Sequence, residues 1–402
     1  MVITNAIVCD VDGERRVDVR IEDGVIKEIG ENLSDTDVVD AKGAYLLPSL
    51  VDTNVRLHDG ILNTKNIEIL SKQALSAGIG HIVLNADSTP AIDNEVVLEF
   101  AQHGLVKIEG AKVDLMLNTL KDDMTLSNIA ILLKKGAKAP FMSTIAKNNI
   151  AIKIAEYVQM YNVTLYCKAE DNSLINAGVM LDGDISSKLG LAGIPALSEV
   201  LHVSRMIEIA KHFEIKILFK AIASPRSVEL IAKAKKEGVQ VSCEVSIHHL
   251  VNCDEACEDF NTLAKLNPPL ASKEDMLLLQ KALKNGDIDL LTTLHQPSSP
   301  VNKEVAFFDA AYGCEGLNRA LSIYYTKLVK SGLITMSELL KLTVQNPAKS
   351  IGLEKGVIKE GRLAELMLFD VSTQSRLQDS CSLYNDQELV GSVKSLSSGS
   401  LK

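Results

Sequence analysis

An α/β fold, a parallel (β/α)8 barrel with a small β-sandwich built from both chain ends, is what this sequence predicts. Three observations predict it. Eight apolar runs alternate with helix-period stretches through the middle of the chain. Those runs are almost continuously apolar, as strands buried on both faces must be. The two ends carry short period-two runs broken by Gly and Asp instead, the pattern of half-buried strands and tight turns.

The elements follow in order. VITNAIVCD and then VDVRIEDGVIKEIG, with Asp23-Gly24 at the bend, read as strands joined by a hairpin turn. The barrel strands are SLVDTNVRL, HIVLNA, VDLMLN, KAPFM, VTLYCKA, IKILFKA, VQVSCEV and DIDLLTT. Helical stretches such as NIEILSKQALSAG, IAIKIAEYVQM and VELIAKAKKEG fall between them. GVIKEG and AELMLFD repeat the style of the N-terminus and are expected to pair with it. The expected division is residues 1–49 plus 350–402 for the composite sheet domain and 50–349 for the barrel. The Ser-, Asp- and Asn-rich tail from Ser372 is expected to be loosely ordered at its end.

A formal net charge of -10 argues against a nucleic-acid surface, which needs a basic face. No apolar run approaches the roughly 20 residues that span a bilayer. The opening MVITNAIVCDVDGERR lacks the basic-then-apolar order of a signal peptide, so the expected location is the cytoplasm. Seven scattered cysteines read as free thiols. His249, Cys253 and Cys257 are spaced to share a helix face, yet a zinc site wants four ligands at paired spacing; a buried face beside a loop is the favoured reading.

In a (β/α)8 barrel the chemistry sits at the C-terminal ends of the strands. The first strand closes on Asp52-Thr53-Asn54-Val55-Arg56-Leu57-His58-Asp59, and the fourth near Phe141-Met142-Ser143-Thr144. The fifth closes on Lys168-Ala169-Glu170-Asp171, the sixth on Phe219-Lys220-Ala221-Ile222-Ala223, and the eighth on Thr293-Leu294-His295-Gln296.

The framing of these ends resembles the dihydroorotases of the amidohydrolase superfamily, especially the bacterial type that pairs with aspartate carbamoyltransferase. Carrying the resemblance are Pro48 to Asp52, Cys243-Glu244-Val245, His248-His249-Leu250, Asn267-Pro268-Pro269-Leu270, Gly316-Leu317 and Asn346-Pro347-Ala348, in shared order along nearly the whole chain. The resemblance implies a TIM barrel of amidohydrolase type. It also implies a divalent metal pair or a single zinc, held by two histidines on strand one, a lysine or aspartate on strand four, a histidine on each of strands five and six, and an aspartate on strand eight. Such a metal makes hydroxide from water near neutral pH.

At the matching positions this sequence has Asn54, Arg56, Thr144, Lys168, Ala221 and Leu294. None of its eight histidines falls on a ligand position. Two like unit charges 4 Å apart repel by about 4 kcal/mol at an effective dielectric of about 20, and a divalent ion beside Arg56 or Lys168 meets roughly twice that from each. The expectation is therefore no catalytic residue, no metal and no cofactor. The family's substrate-gripping arginine is His58 here, and its asparagine after strand two is Asp87. Arg56, His58 and Lys168 make a candidate anion-binding pocket, with Arg56 and Lys168 expected to pair with Glu170, Asp87 or another carboxylate. His81 and His295 read as satisfied polar residues at strand edges.

Three functions compete. The first is a non-catalytic dihydroorotase homologue, oligomeric, serving aspartate carbamoyltransferase as a structural or regulatory partner in pyrimidine biosynthesis. The alternative is an active dihydroorotase or related cyclic amidohydrolase. The third is a sensor of an anionic pyrimidine precursor. Neither nucleic acid nor membrane is expected as a partner.

Overall fold

The computed structural model describes residues 1–106 and 108–395. Its centre is an eight-stranded parallel sheet made of Leu50–Val55, Ile79–Leu84, Lys112–Asn118, Ala139–Met142, Thr164–Lys168, Lys216–Lys220, Val241–Ser246 and Leu290–Thr292. Each strand pairs with the next in sequence. Strand one returns to strand eight through a parallel bridge between Val55 and His295, with the Arg56 amide donating to the His295 carbonyl at 2.9 Å. The sheet is thus curled into a barrel, in the order read from the sequence. Helices Thr64–Ser76, Asn148–Tyr161 and Pro225–Lys236 cover the outside where helical periodicity predicts them. Asn63 starts the first by accepting from the Asn66 amide, which satisfies one orphan donor of its first turn.

Both chain ends build the second region. A four-stranded sheet comprises Val25–Gly30, Asp18–Glu22, Val2–Thr4 and Val38–Asp40. Asp23 (φ 51°) and Gly24 (φ 72°) make its hairpin turn, both in the left-handed conformation that a tight two-residue turn requires. A five-stranded sheet interleaves Tyr45–Pro48, Ile7–Asp10 and Gly13–Arg16 with the C-terminal Leu366–Arg376 and Glu388–Ser395.

Period-two alternation explains how these layers stack. Val8, Leu46, Leu366 and Leu368 face the four-stranded sheet, in a core shared with Ile3 and Ile26. Their neighbours Cys9, Leu47, Met367 and Phe369 join the barrel core instead. The five-stranded sheet is therefore buried on both faces and fastens the small region to the barrel.

Two expectations change, and a third, the loosely ordered end of the tail, falls outside the described residues. GVIKEG is irregular rather than a strand, with Gly356 at φ +107° against the side chain of Gln345; AELMLFD does enter a strand at Leu366. The tail beyond Ser372 continues as strand to Arg376 and returns as Glu388–Ser395, because Phe369, Leu377, Tyr384 and Leu389 are buried in the barrel core. Residues 396–402, where the tail ends, lie outside the described residues. His249, Cys253 and Cys257 do not share a helix, since Ile247–Val251 stops before Cys253. His249 is held by the Ser246 hydroxyl and the carbonyls of Pro268 and Pro269. All seven cysteines are free.

Candidate functional site

The C-terminal ends of the barrel strands converge on a small cavity lined by Asn54, Arg56, Lys168, Lys220, Ala221 and Leu294, together with Phe141, Glu170 and Asn267. The free space these side chains leave is ≈ 20 Å³, enough for about one water molecule.

Lys220 occupies the centre. It ends the sixth barrel strand, is 3 % exposed, and donates to the Thr53 carbonyl at 2.6 Å and to Asn85 Oδ1 at 2.5 Å. Its ammonium stands over the Phe141 and Tyr166 rings, 5.1 and 5.4 Å from their centroids, where ring quadrupoles favour a cation. Burial nevertheless lowers the amine to about 8, against the pull of the Glu244 carboxylate.

Two buried carboxylates support this centre. Glu244 accepts from Asn54 Nδ2 at 2.5 Å, Thr53 Oγ1 at 2.8 Å and the Ala221 amide at 3.2 Å. Burial pushes Glu244 up, with Lys220 opposing. Asp52 accepts from both Thr292 and Thr293 hydroxyls at 2.6 Å, and from the Thr293 and Asn54 amides at 2.9 Å. Asn54 Oδ1 in turn accepts from Asn85 and Arg56. The network ties strands one, two, six, seven and eight together through hydrogen bonds.

At the rim, Arg56 grips Asp87 through Nη2 at 2.8 Å and Nε at 3.1 Å. Burial works to raise Asp87, but the Arg56 guanidinium, with Lys168 and Lys220 behind it, holds its carboxyl below the usual range. Lys168 pairs with Glu170 at 3.0 Å. With its amide oxygen turned toward Lys168, Asn267 bridges the same two groups.

The residues singled out from sequence separate into two sets. Asn54, Arg56, Lys168, Ala221 and Leu294 line one cavity. Thr144 does not line it; its hydroxyl accepts from Asn172 at 2.7 Å. His58 is also elsewhere. The strand stops at Val55, and the chain turns into a short 3-10 segment at His58–Gly60, so two-residue spacing no longer puts His58 beside Arg56. Its side chain is 52 % exposed and faces Asp59. The three-residue anion pocket is thus reduced to Arg56 and Lys168, each already paired with a carboxylate.

Lys220, Glu244, Asp52 and Asn85 were not among the candidates. For Lys220, Glu244 and Asp52 the signal was present, since a lone charge in a strand buried on both faces must find a partner; uncharged Asn85, just past Leu84, carried no such signal.

The donor chemistry does not fit the divalent metal that the family resemblance implies. Both interior carboxylates spend their oxygens on hydroxyl, amide and backbone donors, and an ammonium stands between strands one, two and six. Among the described residues, no three His, Cys, Asp or Glu side chains are grouped so as to hold a metal ion. No helix among them is long and apolar enough to cross a membrane.

Comparison with known proteins bears on the same frame. The amidohydrolase family description matches residues 45–395. A dihydroorotase of Acetivibrio thermocellus is 34% identical over 371 residues, covering 89% of this chain and 86% of that protein. A dihydroorotase of Elusimicrobium minutum is 36% identical over 383 residues, covering 92% and 88%. Among solved structures, the L-hydantoinase (dihydropyrimidinase) from Arthrobacter aurescens superposes with a TM-score of 0.86 at 21% identity, covering 97% of this chain and 93% of that one. At that identity the likeness speaks for the fold alone.

Proposed function

Because this chain belongs to the amidohydrolase family, we propose that it is a member of the dihydroorotase branch that has exchanged a metal-centred barrel mouth for one centred on the Lys220 ammonium, and that it acts without catalysing ring hydrolysis. One observation carries the reading. The barrel mouth holds a buried cation of the chain itself, hydrogen-bonded to Thr53 and Asn85, stacked over Phe141 and Tyr166 and backed by Glu244. A divalent ion there would meet a unit positive charge and no free carboxylate or imidazole, and about one water's worth of space leaves no place for a cyclic amide beside a nucleophile. In this reading the chain serves as a structural or regulatory partner of aspartate carbamoyltransferase, by analogy with the bacterial dihydroorotases it resembles.

A second reading has its own support. The dihydroorotase names of the relatives, at more than 30% identity over most of both chains, speak more directly for a cyclic amidohydrolase that opens a ring C–N bond than for a non-catalytic partner. The third, a precursor sensor at Arg56 and Lys168, needs both ion pairs to open before an anion can enter.

One set of assays separates them. The purified chain is incubated with dihydroorotate or carbamoyl aspartate, with and without added zinc, and interconversion is followed. It is also mixed at micromolar concentration with aspartate carbamoyltransferase and passed over a sizing column. The proposal expects no turnover under either condition and co-elution with the carbamoyltransferase. Turnover establishes the amidohydrolase reading, and separate elution removes the partner.

A further inference from the structure

We propose that a second cleft, at the opposite end of the barrel, binds a small organic anion bearing phosphate groups, of the nucleotide kind. The cleft lies between the N-terminal rim of the barrel and the composite sheets, and its volume is ≈ 950 Å³. Small-molecule sites favour such junctions and commonly enclose about 300–1,000 Å³. The start of the barrel sheet contributes Ser49, His81, Lys112 and Lys138, so this is the face away from the mouth described above.

Charge selects the ligand class. Lys112, Lys138, Lys341, Lys349, Lys355 and Arg362 line the cleft against three carboxylates, Asp114, Glu354 and Glu365. Six cations less three anions leaves +3 in a chain whose formal net charge is -10. The carboxylates are already committed. Glu365 holds both Lys112 and Lys355, Asp114 holds His81 at 2.9 Å and Lys138 at 3.7 Å, and Glu354 holds Arg362 at 2.9 Å. Lys341 and Lys349 have no carboxylate within 4.0 Å among the described residues. Standing eight residues apart along consecutive helical segments, Lys341–Gln345 and Asn346–Ser350, both line the cleft.

Two uncommitted ammonium groups and a surplus of positive charge suit a multiply charged oxyanion better than a single carboxylate. The remaining wall is aliphatic, from Ile26, Val344, Leu353, Leu363 and Leu366, and offers a surface for an organic body attached to the phosphates. The inference does not depend on what the barrel mouth does.

Calorimetric titration of the full chain at low ionic strength tests it, with ATP, inorganic pyrophosphate and adenosine as probes. ATP and pyrophosphate are expected to bind and adenosine is not. The double variant Lys341→Gln/Lys349→Gln alters only exposed side chains outside the ion pairs and so keeps the fold, which a circular dichroism melt checks. It is expected to weaken ATP at least about tenfold. No binding by ATP, equal binding of adenosine, or unchanged ATP affinity in the double variant would overturn the proposal. Loss of ATP binding in Lys168→Gln with retention in the double variant would place the anion at the barrel mouth and overturn it equally.

Discussion

Replacing Lys220 with Met keeps the length and apolar stem of the side chain and removes only its charged end. Two acceptors, the Thr53 carbonyl and Asn85 Oδ1, then lie buried without a donor. Each orphaned acceptor costs about 1–3 kcal/mol. Glu244 also loses the cation that offsets its burial. Removing the buried ammonium relieves part of this, because that ammonium is itself disfavoured enough for its amine to fall to about 8. A net loss of about 3 kcal/mol follows. For a chain of 402 residues, with an unfolding entropy of about 2.1 cal/mol/K per residue, that lowers Tm by roughly 3–4 °C. Adding Glu244→Gln to Lys220→Met removes the stranded carboxylate while keeping its shape, and is expected to return part of the loss. Differential scanning calorimetry at neutral pH on the wild type, both single variants and the double variant supplies the full cycle. If Lys220→Met melts at or above the wild type, or the double variant is no better than the single one, Lys220 does not organise the mouth and the reasoning fails.

Further outcomes follow from the same structure. The folded chain releases the Lys220 proton at about 8 while an unfolded lysine holds it to about 10.4, so the folded state binds fewer protons in that window. Wild-type stability should therefore rise with pH across it, by up to about 3 kcal/mol relative to Lys220→Met, as read by urea titrations at stepped pH. Burial opposes the charge of Glu315, but His295 at 3.1 Å and the Leu317 and Asn318 amides hold its carboxyl at about 2. This stability is present above the unfolded value of about 4.3 and is lost as pH falls toward about 2; Glu315→Gln should flatten that acid limb in the same titrations. Gly391 sits at φ +98° with the Phe369 ring 2.0 Å from where a Cβ would stand. Gly391→Ala is expected to cost about 2–4 kcal/mol, seen as a lowered melting temperature, because ring and backbone both resist displacement.

The barrel was legible because its physics is repetitive. HIVLNA and IKILFKA can be nothing but doubly buried strands at that length, and the helices between them carry a single apolar stripe. The composite sheets were legible in outline only. Alternation gives Leu46 and Leu47 opposite faces, but not the fact that one meets a second sheet and the other a barrel. The site was harder to read. Matching strand six to a ligand position drew attention to Ala221, which leaves the strand at φ 49°, whereas the inward charge is its neighbour Lys220. His58 leaves the face of Arg56 because strand one ends at Val55, an end that the Asp59-Gly60 turn pair marks only from beyond His58. Glu244 was visible as a carboxylate inside an apolar strand, yet its side-chain donors Thr53 and Asn54 lie 191 and 190 residues away along the chain.

Zinc uptake tests the central claim most directly. The full chain is dialysed to equilibrium against micromolar zinc, and bound metal is measured by elemental analysis beside Lys220→Met. An ammonium-centred mouth predicts far less than one zinc per wild-type chain, with nothing displaced by chelator. One zinc per chain, lost when the residues around Lys220 are altered and accompanied by ring-opening activity, would contradict it.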